Sequence, residues 1–315
     1  MSYHHRNGNI IGDPKNVTNE STSGIWDLDN SNKLIQDAKW PGTSTFPVAS
    51  PELQWVMSAQ DGPSTFTSGT NHDLSEGHTQ VYTGNWTAST TLTKTSYTNT
   101  SGETRYYYPF TNQSRIKPVS NTSGNSAIIS NGGFTFYFTY IPYTSRSSWC
   151  RLFNYFGLAN GSTTTSEGNT DEYDGPLIFT NRGTSRIEYR RPTNTTNSNG
   201  DHSNPGGTSL TYSTANAFSF VIQQNSNGTA RYWLRNKNRS SSSSNNIADN
   251  QSVSFNSSTG GYGIRSGTNT GIPVFGDAYY TTTNFSGIME AGFANRPYSS
   301  TECYDLVEYL NTKYA

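Results

Sequence analysis

The sequence predicts an all-β fold, a sandwich or barrel of short strands joined by polar loops. Three observations predict it. Aromatic residues make 13% of the chain, with 21 Tyr and 15 Phe, and together with abundant Thr they are strand formers. Ser, Thr and Asn make about 38% of the 315 residues, far above ordinary usage, and with 29 Gly they supply turns. Several segments alternate at period two and are bounded by turn residues. Disorder does not fit, because disordered chains lack the aromatic and β-branched residues a core needs. A chain of this length can bury a large core.

Residues 1–45 differ in character from the rest of the chain. Gly8-Asn-Ile-Ile-Gly12-Asp-Pro14 is expected to be extended. Gly24-Ile25-Trp26-Asp27-Leu28 comes next, then a helical stretch carrying Leu34, Ile35 and Ala38 on one side, then Trp40-Pro41. Residues 46–315 form the main domain, with no break after Pro51. Its first strand candidates are Leu53–Met57, His78–Tyr82 and Arg105–Phe110. Gly133–Ile141 alternates strictly and is apolar enough on both faces for a strand buried between two sheets. Ser148–Gly157 is the next strand. Pro176–Thr180 and Arg186–Arg190 make a hairpin about Asn181-Arg182-Gly183, and residues 193–207 a polar loop. Ala217–Gln224 and Thr229–Arg235 flank Asn225-Ser-Asn-Gly228, the strongest hairpin signal in the chain, because Asn-Gly readily adopts positive φ. Ser240–Asn246 reads as a low-complexity loop. Strands are expected near Ser252–Phe255, Ile272–Phe275 and Asn284–Phe293. A helix over Thr301–Lys313 carries Leu306, Val307, Tyr309 and Leu310 at helical spacing. Ser299 or Ser300 caps it, and Glu302 completes a capping box with Ser299.

Charge is nearly balanced, 21 basic against 22 acidic side chains. That excludes an electrostatic nucleic-acid binder and a polybasic membrane contact. No run of 18 apolar residues is present, so no membrane insertion is expected. The polar start Met1-Ser-Tyr-His-His-Arg has no apolar core of a secretory leader. Cys150 and Cys303 are expected to be buried thiols, a disulfide between them being the alternative.

The segment Phe285-Ser-Gly-Ile-Met-Glu290, followed by Asn295-Arg296-Pro297 and the terminal helix, resembles the closing segment of concanavalin-A-like (laminin-G-like) domains. The hairpin about Asn227-Gly228, with its aromatic second strand, resembles the matching hairpin of the same family. The resemblance implies a jelly-roll β-sandwich with a short C-terminal helix. The arrangement Gly24-Ile25-Trp26-Asp27-Leu28, helix, Trp40-Pro41 resembles an N-terminal module of tailed-phage virion proteins. It implies that Ile25, Trp26, Leu28, Trp40 and Pro41 dock the chain onto another virion protein or a neighbouring subunit.

The enzymatic relatives of this fold are family-16-like glucanases, which need two carboxylates about 5 to 5.5 Å apart. Their motif is Glu-x-Asp-x-x-Glu. Here Glu172-Tyr-Asp174 matches its start, but the third carboxylate falls at Leu177, so no catalytic residue is assigned. No Gly-x-Ser-x-Gly elbow, P-loop or Rossmann glycine pattern occurs. His72, Asp73, Glu76 and His78 form a weak metal-ligand set in a polar loop. Calcium, common in the family, would find Asp277 with Asp171 or Asp174; no other cofactor is expected. Sugar recognition needs aromatic faces for C–H groups and polar groups for O–H groups. Tyr106, Tyr107, Tyr108, Tyr262, Tyr279 and Tyr280, read as loop-tip residues, are the candidate glycan or partner contacts.

The expectation is a non-enzymatic phage virion protein assembled in the host cytoplasm. It is a tail-associated fibre or adhesin, homotrimeric, docked by its arm and exposing a lectin-like sandwich to a host surface glycan. A capsid decoration protein bridging capsomers is the first alternative, a polysaccharide-degrading enzyme the second.

Overall fold

The computed structural model describes residues 46–47, 53–76, 78, 85–110, 114–119, 133–142, 150–156, 177–180, 187–191, 201–203, 216–225, 229–238, 244–253, 272–276, 286–294 and 296–314, for some strand residues the backbone alone. Nearly all belong to the unit Val48–Ala315. In chain order the strands are β1 (Leu53–Ser58), β2 (Thr65–Phe66), β3 (Asn71–His72), β4 (Trp86–Ala88), β5 (Leu92–Thr93), β6 (Thr95–Thr98), β7 (Thr104–Phe110), β8 (Ile116–Pro118) and β9 (Phe134–Pro142). They continue with β10 (Cys150–Phe156), β11 (Leu177–Thr180), β12 (Ile187–Arg191), β13 (Asp201–Ser203), β14 (Asn216–Gln224), β15 (Ala230–Asn238), β16 (Ser244–Ser252), β17 (Ile272–Phe275) and β18 (Ser286–Ala294). Helix α1 (Ser300–Tyr314) closes the chain.

The fold is a β-sandwich with one short C-terminal helix, as expected. The first sheet runs β16-β15-β14-β9-β18-β7-β6, and β1 shares with β7 the far edge of β18. The second runs β13-β12-β11-β10-β17-β8-β4-β3, and β2 and β5 form a separate ribbon. The pairings within the sheets are antiparallel. Aromatic rings join the two sheets. The ring of Trp55 on β1 lies 5.9 Å from that of Trp86 and 5.4 Å from Phe275, both in the second sheet. On its own sheet it stacks on Phe293 at 5.7 Å. Phe134, Phe136, Phe138 and Tyr140 of β9 and Phe218, Phe220 and Ile222 of β14 extend this layer.

The hairpin β14–β15 forms with Gln224 opposite Ala230, as the Asn-Gly signal predicts. The hairpin β11–β12 pairs Thr180 with Ile187. The other face of β9 differs from the expectation. Thr135, Tyr137, Thr139 and Ile141 are buried, but on the outer side of the first sheet. There α1 packs across β14, β15 and β9, so a helix and not a second sheet covers this face. The expected loop at 240–246 is also partly strand. β16 begins at Ser244 and pairs with β15 through two irregularities, with Asn250 at φ 51°. Pairing with an established neighbour overrides the weak strand propensity of its Ser and Asn residues.

Ring packing fixes one glycine. A Cβ at Gly292 on β18 would run into the ring of Tyr137 on the adjacent strand. Both are buried, so the ring can lie flat across β18 only because that position is bare. Gly292→Ala is expected to destabilise the fold by about 1–3 kcal/mol through overpacking. Urea unfolding followed by Trp fluorescence checks this.

Candidate functional site

The structure separates the six candidate tyrosines. Tyr106, Tyr107 and Tyr108 are not at a loop tip; they sit in β7. Tyr107 and Tyr108 are buried, and the Tyr108 hydroxyl donates to the carbonyl of Pro63 at 2.7 Å. Neither ring is available to stack on a sugar. The strand expected over Arg105–Phe110 forms as β7, and its pairing to β18 and β6 puts these tyrosines inside the sheet rather than at a loop tip. Tyr106 is half-buried, with the Lys94 ammonium 4.5 Å from its ring centre. Tyr262, Tyr279 and Tyr280 lie outside the described residues. So do the docking residues Ile25, Trp26, Leu28, Trp40 and Pro41, the calcium candidates Asp171, Asp174 and Asp277, and Glu172. Cys303 is a buried free thiol.

The four loop residues read as a metal set also divide. His72 packs edge-on against Phe66 at 5.0 Å, and its Nε2 lies 3.1 Å from Thr70 Oγ1. Asp73 accepts the Ser75 amide. Glu76 and His78, in contrast, converge on a residue the sequence reading did not single out, Glu290 of β18. One ligand atom from each lies within 4.8 Å of the others.

Glu290 reaches that position through a β-bulge. The pairing of β18 with β9 shifts between Ile288 and Glu290. Ile288, Ala291 and Phe293 therefore belong to the core cluster, while Met289 and Glu290 both turn to the outer face under α1. Bulges commonly re-aim a side chain in this way. Glu290 is 0% exposed. Its Oε2 accepts from Lys313 Nζ and from the Tyr314 hydroxyl, each at 2.7 Å. Lys313, 8% exposed, also donates to Glu76 Oε2 at 2.7 Å. The Tyr137 hydroxyl stands 3.5 Å from Glu290 Oε1. Glu76 is held at φ 52°, a left-handed conformation that costs a non-glycine residue about 1–2 kcal/mol.

Burial opposes ionisation of Glu290, but the Lys313 ammonium, the hydrogen bonds from Lys313 and Tyr314, and His78 outweigh it. The carboxyl is held below its ordinary value. Burial likewise opposes the Lys313 charge, and Glu290, Tyr309 and Glu76 overcome it, so its pKa is raised. Burial first, then Glu290, pushes the Tyr309 phenol up to about 12. The pair is thus ionised and sealed. Glu76, His78 and Glu290 are chemically suited to a divalent cation. The ammonium of Lys313 already stands against both carboxylates, however, so the chain supplies that positive charge itself.

The same clasp finishes the helix. The carbonyl of Lys313 accepts from Asn99 Nδ2 and Arg105 Nε, and that of Tyr314 from the Tyr97 hydroxyl. These donors from β6, β7 and the turn between them satisfy carbonyls a helix end leaves open. At the other end Ser299 and Glu302 form the expected capping box. Arg296 grips Glu302 with two bonds of 2.5 and 3.1 Å, which hold the Glu302 carboxyl at about 2. In the middle, Arg235 of β15 bonds Glu308 and Asp249, each at 2.6 Å. No helix among the described residues is long and apolar enough to cross a membrane.

No protein-family model matches this chain, and no curated protein matches it in sequence. Some solved structures are similar at low identity. One is a mutant of Trypanosoma rangeli sialidase displaying trans-sialidase activity, at 10% identity and a TM-score of 0.49 over 89% of this chain and 35% of that one. Another is the binding domain of Paraclostridial Mosquitocidal Protein 1, at 13% and 0.49 over 84% and 53%. A third is the botulinum neurotoxin type G receptor-binding domain, at 14% and 0.37 over 71% and 49%. The chain spans from about a third to about half of these proteins. Similarity at this level conveys neither ligand nor activity.

Removing one member of a buried pair strands the other's charge. Lys313→Met is expected to cost about 3–5 kcal/mol, and the double variant Glu290→Met/Lys313→Met to recover much of that loss; a double-mutant cycle in urea measures both. The pH profile is set by the two shifts. Glu290 is depressed in the fold, so its contribution is complete above the unfolded carboxylate value of about 4.3 and is lost as pH falls below it. Lys313 is raised, so its contribution is complete below about 10.4 and is lost as pH rises further. Melting temperature should form a plateau between these limits, and Lys313→Met should flatten the alkaline fall.

Proposed function

We propose that this chain is a non-enzymatic structural protein of a tailed-phage virion, a tail-associated fibre or adhesin. Its arm, residues 1–45, docks onto another virion protein, and its sandwich, residues 46–315, is displayed to host-surface glycans as part of a homotrimer. One observation on the described residues supports the non-enzymatic part. Each of the five glutamates whose side chains are described is committed to an ion pair: Glu76 and Glu290 with Lys313, Glu103 with Arg105, Glu302 with Arg296 and Glu308 with Arg235. A glycoside hydrolase needs a carboxylic acid raised in pKa and facing substrate. Glu290 and Glu302 are shifted the other way. The virion part is supported by the Trp26 and Trp40 arrangement of the arm. A sandwich with an aromatic interior suits a display module.

Immunogold electron microscopy with antibody raised to residues 46–315 tests the location. Label confined to the tail is expected. Label spread over the shell would replace the adhesin with the capsid-decoration reading, and unlabelled particles would overturn the virion assignment. A chain lacking residues 1–45 should keep the sandwich folded by circular dichroism and fail to enter particles.

A further inference from the structure

The ribbon β2–β5 presents a chemically uniform face. Thr65 pairs with Thr93, and Phe66 with Leu92. Phe66 and Leu92 are buried in the core cluster, so the two strands are nailed down from beneath. Thr65 and Thr93 are exposed on the opposite face, as strand alternation requires, and Thr67 and Thr91, next to the two strands, are exposed as well. Thr65 and Thr93 stand opposite each other across the ribbon, about 5 Å apart. The hydroxyls of Thr65, Thr67 and Thr93 have no partner among the described residues. Thr91 Oγ1 accepts the Ser68 amide, and Ser68 and Thr70 bond the carbonyls of Ser89 and Thr67, which orders the loop beside the ribbon.

Charge selects the occupant. The cation at the rim, Lys94, is consumed by the protein: it donates to the carbonyls of Gln60 and Gly62 and sits over the Tyr106 ring. Among the described residues a polyanion would therefore find no free cation beside the ribbon. A protein partner would want an apolar centre, and the face offers only threonine methyls. Hydroxyls that both donate and accept, set between methyl groups, match the O–H and C–H groups of a neutral sugar. The exposed side of α1, by comparison, carries Tyr304 and the charged Asp305.

We infer that the outer face of β2–β5, with Thr65, Thr67, Thr91 and Thr93 and with Tyr106 at its rim, is the surface on which the sandwich binds a neutral polysaccharide. This rests on the adhesin reading and adds the location and the chemical class of the ligand. The test measures binding of residues 1–315 to immobilised dextran, mannan and β-glucan, with heparin and polysialic acid as polyanionic probes. Two variants accompany it: Thr65→Val/Thr67→Val/Thr93→Val, which keeps shape and strand propensity, and the corresponding triple Ser variant, which keeps the hydroxyls. Binding to a neutral polymer is expected to weaken about tenfold or more in the Val variant and to survive in the Ser variant, with circular dichroism unchanged in both. Equal binding by the Val variant would overturn the assignment to this face and leave the adhesin reading standing. Binding to the polyanions alone, or to none of the five polymers, would overturn the ligand class. A dimer in sedimentation that the Val variant abolishes would reassign the face to self-association. Immunogold location decides the adhesin reading independently of all four outcomes.

Discussion

A carboxylate with no solvent exposure must be neutralised from within, and that requirement organises the outer half of this sandwich. Glu290 can stay ionised under α1 only because Lys313 and Tyr314 reach it from the last turn of the helix. The bulge after Ile288 delivers the carboxylate to that face, and the bare Gly292 lets the Tyr137 ring lie beside it. An apolar contact would tolerate a helix sliding by a turn. An ion pair with two further hydrogen bonds does not, so the pair sets register as well as contributing energy. The carbonyls of the helix end then fall against Asn99, Arg105 and Tyr97, and Glu76 is drawn in from the loop after β3. One buried charge thereby ties together five segments far apart in sequence.

What could be read from the sequence was local. The β14–β15 hairpin is legible because Asn227-Gly228 stands between two alternating runs, and β9 because its alternation is unbroken. The capping box is legible because Ser299 and Glu302 are three residues apart. The Glu290 clasp is not legible in this way. Strict alternation puts Glu290 on the face of Ile288, toward the core, and only the bulge moves it outward. Its partners lie 23 and 214 residues away by position, at Lys313 and Glu76. Half of the loop set read as metal ligands, Glu76 and His78, does reach the buried site, but the residue that completes the charge balance is a lysine. Tyr107 and Tyr108 escape a sequence reading for the opposite reason. Their chemistry suggests a surface contact, and although the segment reads as a strand, three tyrosines in a row do not show which of them the sheet buries.

This division of labour bears on function. The buried and half-buried ion pairs of the sandwich hold its helix and loops in place, and the β2–β5 ribbon turns threonines to solvent. The proposed threonine face would offer many weak, neutral contacts. Weak contacts gain from repetition, because several copies in one assembly raise avidity well beyond a single site. A trimeric fibre carrying the proposed threonine face would use the fold in that way.

Native-state hydrogen exchange is the sharpest probe of whether the Glu290–Lys313 clasp makes α1 one cooperative unit with the first sheet. Amides of α1 from Leu306 to Leu310 are expected to exchange only through the same global opening that releases Phe136 and Phe138 of β9, with matching protection and matching denaturant dependence. Exchange of the helix through a separate, much cheaper opening, with the sheet still closed, would show that the clasp does not couple the two.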